Sequence, residues 1–563
     1  MAAGDDRLSG LSDDLLRRVL HFVPAREGAF SSVQSRRWRP LWRSCGAVNL
    51  EARVDRKDGE AHDRFNARRD AVVSAVHKAL DAAEAAAEAD GAGPIRKLTI
   101  RLEARSKDKI REFLYPKNQN VFAIALSHPA ARRVEELRIA AVDSVGGKPM
   151  YFETSKYEAD PYFSEIYPLR LDSLPSPETL RVLELTNCGS VKTAFLQTAA
   201  GAFFPRLVSL RLRHCSVRLD KVQDIIYASP LLAVIHLDSL PLEDEGRYQP
   251  RSRSLCCPAA TELVLDKCCF EEGSAMEIFA PMLRRFRYRG VVRRISLSPP
   301  SAHLARAELT LVEHGEVGER DLDVARRSFW GTMHGFSQAR EMKLRVRHLE
   351  EIAITDETGQ AELLPKFRNL HRLELQGVHT PTGKAAAAAI ANVLRCCPAL
   401  CDLRINLSSS HEDTTKQYEY GFFFLERKYR SEFEESVQRF KRRRRSQPTV
   451  ARDDDEDDDA NYDEVSDLPR LSGQSFKCLR RCLRRVGLQF QRKDANCFGI
   501  RLIKFFAEHA KVLEEMCIDA GNERISEHMN PKVEKWIANK SKRRRINSTS
   551  ETKVKVLSLT RSN

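Results

Sequence analysis

The 563-residue sequence predicts an α/β chain, a small all-helical module followed by a curved solenoid with parallel strands inside and helices outside. Three observations predict it. The first fifty residues carry apolar residues at helical spacing. A pattern of apolar residue, two variable residues, apolar residue, one variable residue, apolar residue then returns along most of the chain. Helix-forming stretches lie between its copies.

The helical module comes first. Ser12 stands at a helix N-cap position and Asp13 and Asp14 follow in the first turn, where the helix dipole favours acids. Leu15, Leu16, Val19, Leu20 and Val23 recur on one face, and Pro24 ends that helix. A second apolar set, Phe30, Val33, Trp38, Leu41 and Trp42, is surrounded by Arg36, Arg37, Arg39 and Arg43. Three short helices in about 40 residues form too small a domain to bury all of these groups. The surplus apolar surface implies either a partner or a cap over the first repeat of a larger domain.

Residues 11 to 42 resemble the F-box of the plant F-box/leucine-rich-repeat family. The resemblance rests on Leu11-Ser12-Asp13, the leucine-rich stretch Leu15 to Val23, and Ser35-Arg36-Arg37-Trp38-Arg39-Pro40-Leu41-Trp42. Ser12 departs from the family, which has proline there, so a proline-shaped contact with the adaptor is lost while capping is expected to preserve the helix start. The resemblance implies a non-catalytic substrate receptor of an SCF-type ubiquitin ligase, docked on a Skp-type adaptor and through it on a cullin. The adaptor-binding residues it implies are Leu8, Leu11, Leu15, Leu16, Val19, Leu20, Val23, Val33, Trp38, Leu41 and Trp42.

Residues 71 to 89 are alanine-rich and predict a helix, which Gly91, Gly93 and Pro94 stop. It is expected to join the module to the repeats and cover their first edge. The repeats follow. Clear copies are Ile95-Leu98-Ile100, Val134-Leu137-Ile139, Leu180-Leu183-Leu185, Leu207-Leu210-Leu212, Leu232-Ile235-Leu237, Leu283-Phe286-Tyr288, Leu370-Leu373-Leu375, Leu400-Leu403-Ile405 and Leu513-Met516-Ile518. Weaker copies lie at Leu263-Leu265, Met342-Leu344 and Leu483-Val486-Leu488. The middle positions Leu183, Leu210, Ile235, Leu263 and Phe286 are 27, 25, 28 and 23 apart, which matches leucine-rich repeats. Leu219 to Ala228 and Lys384 to Leu394 supply the helical returns. A fixed period argues against an ordinary doubly wound domain.

Leu403 and Val486 are 83 apart, so an insertion separates them. Within it the basic run Lys441 to Arg445 is followed by the acidic run Asp453 to Asp459. Opposite runs this close predict a solvated, disordered loop. The expected organisation is residues 1–50 F-box, 51–93 helical linker, 94–410 repeats, 411–465 disordered insertion, and 466–563 further repeats with a basic tail around Lys540 to Arg545.

The formal net charge is +14, and no apolar run reaches the roughly 18 residues that span a bilayer. The N-terminus lacks the layout of a signal peptide, and several of the 14 cysteines are vicinal, as Cys256-Cys257, Cys268-Cys269 and Cys396-Cys397 are. These features predict a chain in the cytoplasm, the nucleus or both, with reduced thiols and without membrane contact. Gly377 to Lys384 resembles a phosphate loop but has five residues between its glycines and Ala385 after the lysine, so it is read as a turn. Cys478, Cys482 and Cys497 lack the second close pair that a zinc site needs, so no metal or other cofactor is expected. His509 and His528 are isolated, and no catalytic residue is expected.

The outward positions of two strands are basic: Arg211 and Arg213 on one, Arg284, Arg285, Arg287 and Arg289 on the other, with Arg293 and Arg294 beyond. They form the candidate target-binding surface, for an acidic or phosphorylated protein. Glu184, Asp238 and Asp266 share the face. The alternative is a basic repeat scaffold for nucleic acid or acidic proteins outside the ubiquitin system. The basic runs lack interleaved aromatics, which disfavours nucleic acid.

Overall fold

The computed structural model describes residues 10–55, 59–89, 94–105, 107–114, 120–143, 167–171, 174, 176–193, 203–240, 253–268, 276–290, 295–297, 299–311, 322–380, 383–408, 465–490, 497–519, 533–536 and 555–558. The expected disordered insertion lies outside them apart from Val465, as do Leu8, Gly91, Gly93, Arg293, Arg294, His528 and both basic runs. The chain forms two compact units, Met1–Leu283 and Arg284–Asn563.

The first unit opens with helices α1 (Asp13–Leu20), α2 (Ala25–Gln34) and α3 (Trp38–Arg43). Their core is Leu16, Leu20 and Leu41, all buried, with Leu11, Trp38, Trp42 and Cys45 packed around it. Arg37 fastens the start of α3 to that of α1, donating to the Leu11 carbonyl at 2.6 Å and to Asp13 at 3.0 Å. Gly28 lets α2 approach Trp42, because a Cβ built there would lie 2.2 Å from the indole nitrogen. Two expectations are corrected. Ser12 holds the N-cap with φ −66° and ψ 156°, a backbone open to proline, but its hydroxyl makes no cap bond. Pro24 is not the end of α1; it occupies the N-cap position of α2.

Strand β1 (Ala47–Arg53) follows α3 directly and pairs in parallel with β2 (Lys97–Ala104). Helix α4 (His62–Ala89) connects them, burying Phe65, Val76, Leu80 and Ala86. The alanine-rich helix is therefore the return of a first repeat, and the sheet begins at Ala47 rather than after Pro94 as expected. The N-terminal helices are tied to this strand. Asn49, 5% exposed, donates to the carbonyls of His21 and Val23, each at 3.0 Å.

The unit continues through β3 (Glu136–Asp143), β4 (Pro168–Arg170), β5 (Val182–Thr186), β6 (Ser190–Lys192), β7 (Ser209–Arg213), β8 (Val234–Asp238), β9 (Arg253–Cys256), β10 (Glu262–Asp266) and β11 (Met276–Phe279). Its main sheet runs β1-β2-β3-β5-β7-β8-β10, all parallel. The register is one continuous ladder: Val48, Leu98, Leu137, Leu183, Leu210, Ile235 and Leu263 are successive partners. All seven are buried. Each strand's apolar row is covered by its neighbour's, so no repeat completes its core alone.

Past β5, β7, β8 and β10 the chain turns through a left-handed residue, Asn187, His214, Ser239 or Lys267, none of them glycine. The turn aims the next buried side chain inward. At three of the four positions this is a cysteine, Cys188, Cys215 or Cys268. The Cys215 and Cys268 thiols lie 3.4 Å from the carbonyls of Leu185 and Leu237, so they satisfy backbone groups where the ladder ends. The backbone strain of these turns is offset by that packing.

The second unit contains β12 (Arg285–Gly290), β13 (Ile295–Leu297), β14 (Arg306–Leu311), β15 (Glu341–His348), β16 (Arg372–Val378), β17 (Asp402–Ser408), β18 (Arg485–Gln489), β19 (Glu515–Asp519) and β20 (Lys555–Ser558). Its main sheet runs β12-β14-β15-β16-β17-β18-β19-β20, again parallel. The ladder here is Phe286, Ala307, Met342, Leu373, Leu403, Val486, Met516 and Val556. The pattern missed β14 because Ala307 stands where other strands carry a larger residue. It missed β1 because Cys45 stands three residues before Val48, where the clear copies carry a branched aliphatic residue, and β20 because Lys553 stands there before Val556. Helix Lys384–Cys396 is small-residue rich and buried on nearly every side from Ala386 to Leu394. The expected class, a helical module followed by stacked parallel strands with helical returns, is what the structure has.

Two outcomes follow from this packing. Gly28→Ala should lower the stability of the first unit by about 1–3 kcal/mol, the usual cost of overpacking a filled core. Thermal unfolding followed by circular dichroism measures it. Burial pushes the Cys215 and Cys257 thiols up to about 12. Iodoacetamide at pH 8 should therefore leave both unmodified in the folded chain and alkylate both in denaturant, as mass spectrometry would read.

Candidate functional site

The N-terminal module sorts its apolar residues into two sets. Leu16, Leu20 and Leu41 are 0%, 1% and 3% exposed. They hold the module together and cannot also touch a partner, which corrects their expected role in adaptor contact. Leu11, Val23, Trp38 and Trp42 are half-buried. The other set faces solvent: Leu15 50%, Val19 42%, Phe22 67%, Phe30 65% and Val33 77% exposed. The expected site did not include Phe22 and Phe30, although Phe30 had been placed in the second apolar set. The helical signal shows which residues share a face but not which side of that face is covered, because on helices this short the covered side is set by the neighbouring helix.

Phe22 also marks the junction with the repeats. The Lys97 ammonium sits 4.5 Å over its ring and 3.5 Å from the His21 carbonyl. Lys97 is 5% exposed, and burial, with the Arg138 charge next, lowers its pKa. A buried lysine held by a carbonyl and a ring face is a clamp between α1 and β2. His21 Nδ1, 3.1 Å from the Cys45 carbonyl, closes the same corner.

On the sheet face of the repeats, three of the arginines expected to bind a target, Arg211, Arg213 and Arg287, are matched by carboxylates one strand away. Glu184 lies between Arg138 at 3.4 Å and Arg211 at 3.5 Å. Arg213 meets Asp238 at 3.0 Å, and His236 meets Glu262 at 2.8 Å. In the second unit Arg287 meets Glu308 at 2.8 Å, and Glu308 also takes Arg306. Partial burial raises the Glu308 pKa, but the Arg287 and Arg306 guanidiniums outweigh it and leave the carboxyl below its usual value. Arg284 precedes β12, and its carbonyl accepts from Ala305 and Arg306. Arg285 and Arg289 lie on β12, beside Arg306 and Thr310 of β14. The face is thus an alternating charge ladder rather than a basic strip. Sequence hides this, because the residues paired across strands are 21 to 46 positions apart and meet only through strand register.

The remaining chemical-looking features are structural. Gly383 caps helix Lys384–Cys396 at φ 62°, and Phe498 packs where its Cβ would be. The Glu350 carboxylate accepts from the Thr380 amide at 2.8 Å, a negative charge where a phosphate would have to sit. Cys478 is buried, its thiol 3.5 Å from the Leu394 carbonyl. His509 stacks on Phe505 with ring centroids 4.8 Å apart. Among the described residues no cluster of three or more His, Cys, Asp or Glu side chains could hold a metal, and no helix is long and apolar enough to cross a membrane.

Comparison with known proteins gives short likenesses. No family model matches the chain. An F-box/FBD/LRR-repeat protein of Arabidopsis thaliana is 43% identical over 61 residues, 11% of this chain and 13% of the relative. An FBD-associated F-box protein of the same plant is 50% identical over 46 residues, 8% of this chain and 25% of the relative. A second F-box/FBD/LRR-repeat protein is 33% identical over 60 residues, 11% of this chain and 14% of that relative. The chain thus matches a quarter or less of the length of these relatives. A solved chain from the crystal structure of a TLR13-ssRNA13 complex aligns over 76% of this chain and 42% of its own, at 10% identity and a TM-score of 0.32, which carries no argument. The three plant likenesses, joined to a three-helix N-terminal module and the parallel repeat stack, support membership of the plant F-box/leucine-rich-repeat family.

Proposed function

We propose that this chain is the substrate-recognition subunit of an SCF-type ubiquitin ligase. The three N-terminal helices dock on a Skp-type adaptor, and through it on a cullin, while the repeats hold a target protein. The observation that carries the reading is the exposure of Leu15, Val19, Phe22, Phe30 and Val33 on a module that buries Leu16, Leu20 and Leu41 as its own core. Apolar side chains of this size in one small module are the anchors a partner would bury, each contributing on the order of 1–3 kcal/mol. The likeness to proteins named for the F-box supplies the class of partner.

The mechanism is positioning. A target on the repeats is held beside a ubiquitin-charged enzyme, so its effective concentration rises, and no covalent step falls to this chain. The clamp formed by Asn49, Lys97 and His21 makes that positioning stiff, since it couples the docking helices to the first two strands without a flexible spacer. The activity belongs in the cytoplasm, the nucleus or both.

In the full chain, Leu15→Asp combined with Val33→Asp should reduce capture of a Skp-type adaptor at least tenfold while the circular dichroism spectrum and melting temperature stay unchanged. Capture within twofold of the unaltered chain would remove the adaptor-docking reading. Leu16→Asp serves as the contrast. It places a charge in the internal core and should unfold the module instead of selectively abolishing docking.

A further inference from the structure

Among the described residues, the charge ladder leaves two cations around Asp402 without a hydrogen bond. Asp402 opens β17 with its carboxylate 6% exposed. Arg372 of β16 meets it at 3.2 Å and is shared with Glu341 at 3.5 Å. Arg404 of β17 and Arg485 of β18 also approach Asp402, each only to 3.8 Å. That is an ion pair but not a hydrogen bond. The Arg404 and Arg485 side chains are 62% and 54% exposed, and among the described residues neither guanidinium has a hydrogen-bond acceptor. Elsewhere the cations of this row are engaged. Arg287 is on Glu308, and Lys343 is on Glu374 at 2.7 Å, which occupies the carboxylate in register with Arg404.

The next strand leaves this spot open. Gly487 of β18 is the register partner of Arg404, and a Cβ there would only touch the arginine stem at 3.4 Å. The floor between the two guanidiniums is therefore bare backbone. The far wall is β19, where Glu515 accepts the Cys517 thiol at 3.4 Å and Asp519 accepts Gln489 at 3.1 Å. The notch is cationic on β17 and β18 and anionic on β19.

We propose that this notch binds an acidic peptide segment of a target protein, with two side-chain carboxylates taken by Arg404 and Arg485 and the peptide backbone lying over Gly487. Planar guanidiniums with unfilled donors match carboxylates two-prongedly, and Asp402 holds both forks in place without using up their hydrogen bonds. A continuous polyanion fits poorly, because a phosphodiester strand crossing the notch would meet Glu515 and Asp519, and the register partners of the two arginines, Glu374, Gly487, Asp402 and Glu515, offer no ring for a base to stack on. The proposal deepens the receptor reading by naming where and by what chemistry a target is held, but its binding test needs no adaptor.

The test is fluorescence anisotropy on the full chain with a fluorescein-labelled peptide of alternating serine and aspartate, and with the same peptide carrying asparagine for aspartate. The aspartate peptide should bind at least tenfold more tightly than the asparagine peptide and weaken as salt rises. Arg404→Ser with Arg485→Ser should cost at least tenfold. Gly487→Leu, which keeps every charge and covers the floor, should cost at least threefold. Arg211→Ser with Arg213→Ser should change little. Equal binding of the two peptides, indifference to the Arg404 and Arg485 changes, or tighter binding of a single-stranded RNA of equal charge would overturn the proposal. So would binding that appears only after Asp453 to Asp459 are replaced by asparagine, which would make the chain's own acidic run the occupant. Adaptor capture by the Arg404→Ser, Arg485→Ser chain should be unaltered. If the unaltered chain captures no adaptor the receptor reading fails, while the peptide result stands or falls by itself.

Discussion

Every part of this chain depends on the in-register ladder of inward apolar residues. A single strand such as Ser209–Arg213 offers only Leu210 and Leu212 to the core, and one repeat by itself is too small to enclose them. Leu183 and Leu185 on one side and Ile235 and Leu237 on the other do so, because parallel pairing brings equivalent positions level. The ladder therefore fixes strand register, and register fixes everything on the opposite face. A slip of one residue would exchange Leu210 for Arg211 and bury charge, which makes the register self-enforcing.

The N-terminal helices extend the same logic. They do not hang from the repeats by a spacer but end in β1, the first rung, whose Val48 and Leu50 pair with Leu98 and Ile100. Asn49, between these two inward residues, is buried by the helices and spends its amide on the end of α1. The strand position that faces outward in later repeats is here the socket for the helical module. The module's own core is small, only Leu16, Leu20 and Leu41 being fully buried in it, so much of its rigidity is borrowed from the sheet.

The outward face carries the second consequence of register. Arg138, Glu184 and Arg211 sit level on three neighbouring strands, and so do Arg287, Glu308, Lys343, Glu374 and Arg404. Alternating signs neutralise a sheet face that must be polar. The alternation stops at Gly487 and Cys517, where the row loses its charges. A surface of matched pairs is inert toward a charged partner until a pair is broken.

The sequence by itself determined the fold class and most of its strands. A recurring apolar spacing is a local property, and twelve strands, from Lys97–Ala104 to Glu515–Asp519, lie where that spacing put them. It also showed that the first fifty residues form helices with apolar residues to spare. It missed the five short strands of the side sheets and, in the main sheets, β1, β14 and β20, where Cys45 and Lys553 stand at the preceding position and Ala307 is too small to register as apolar. Only the tertiary structure decided which apolar residues of the module are core and which face solvent. Leu15 and Leu16 are adjacent and chemically identical, and the packing of α3 alone separates them. It likewise decided that Arg213 and Arg287 hydrogen-bond to carboxylates while Arg404 and Arg485 only approach one. Those relations run between strands some 20 to 80 residues apart in the chain, and no local pattern encodes a distance that exists only once the ladder has formed.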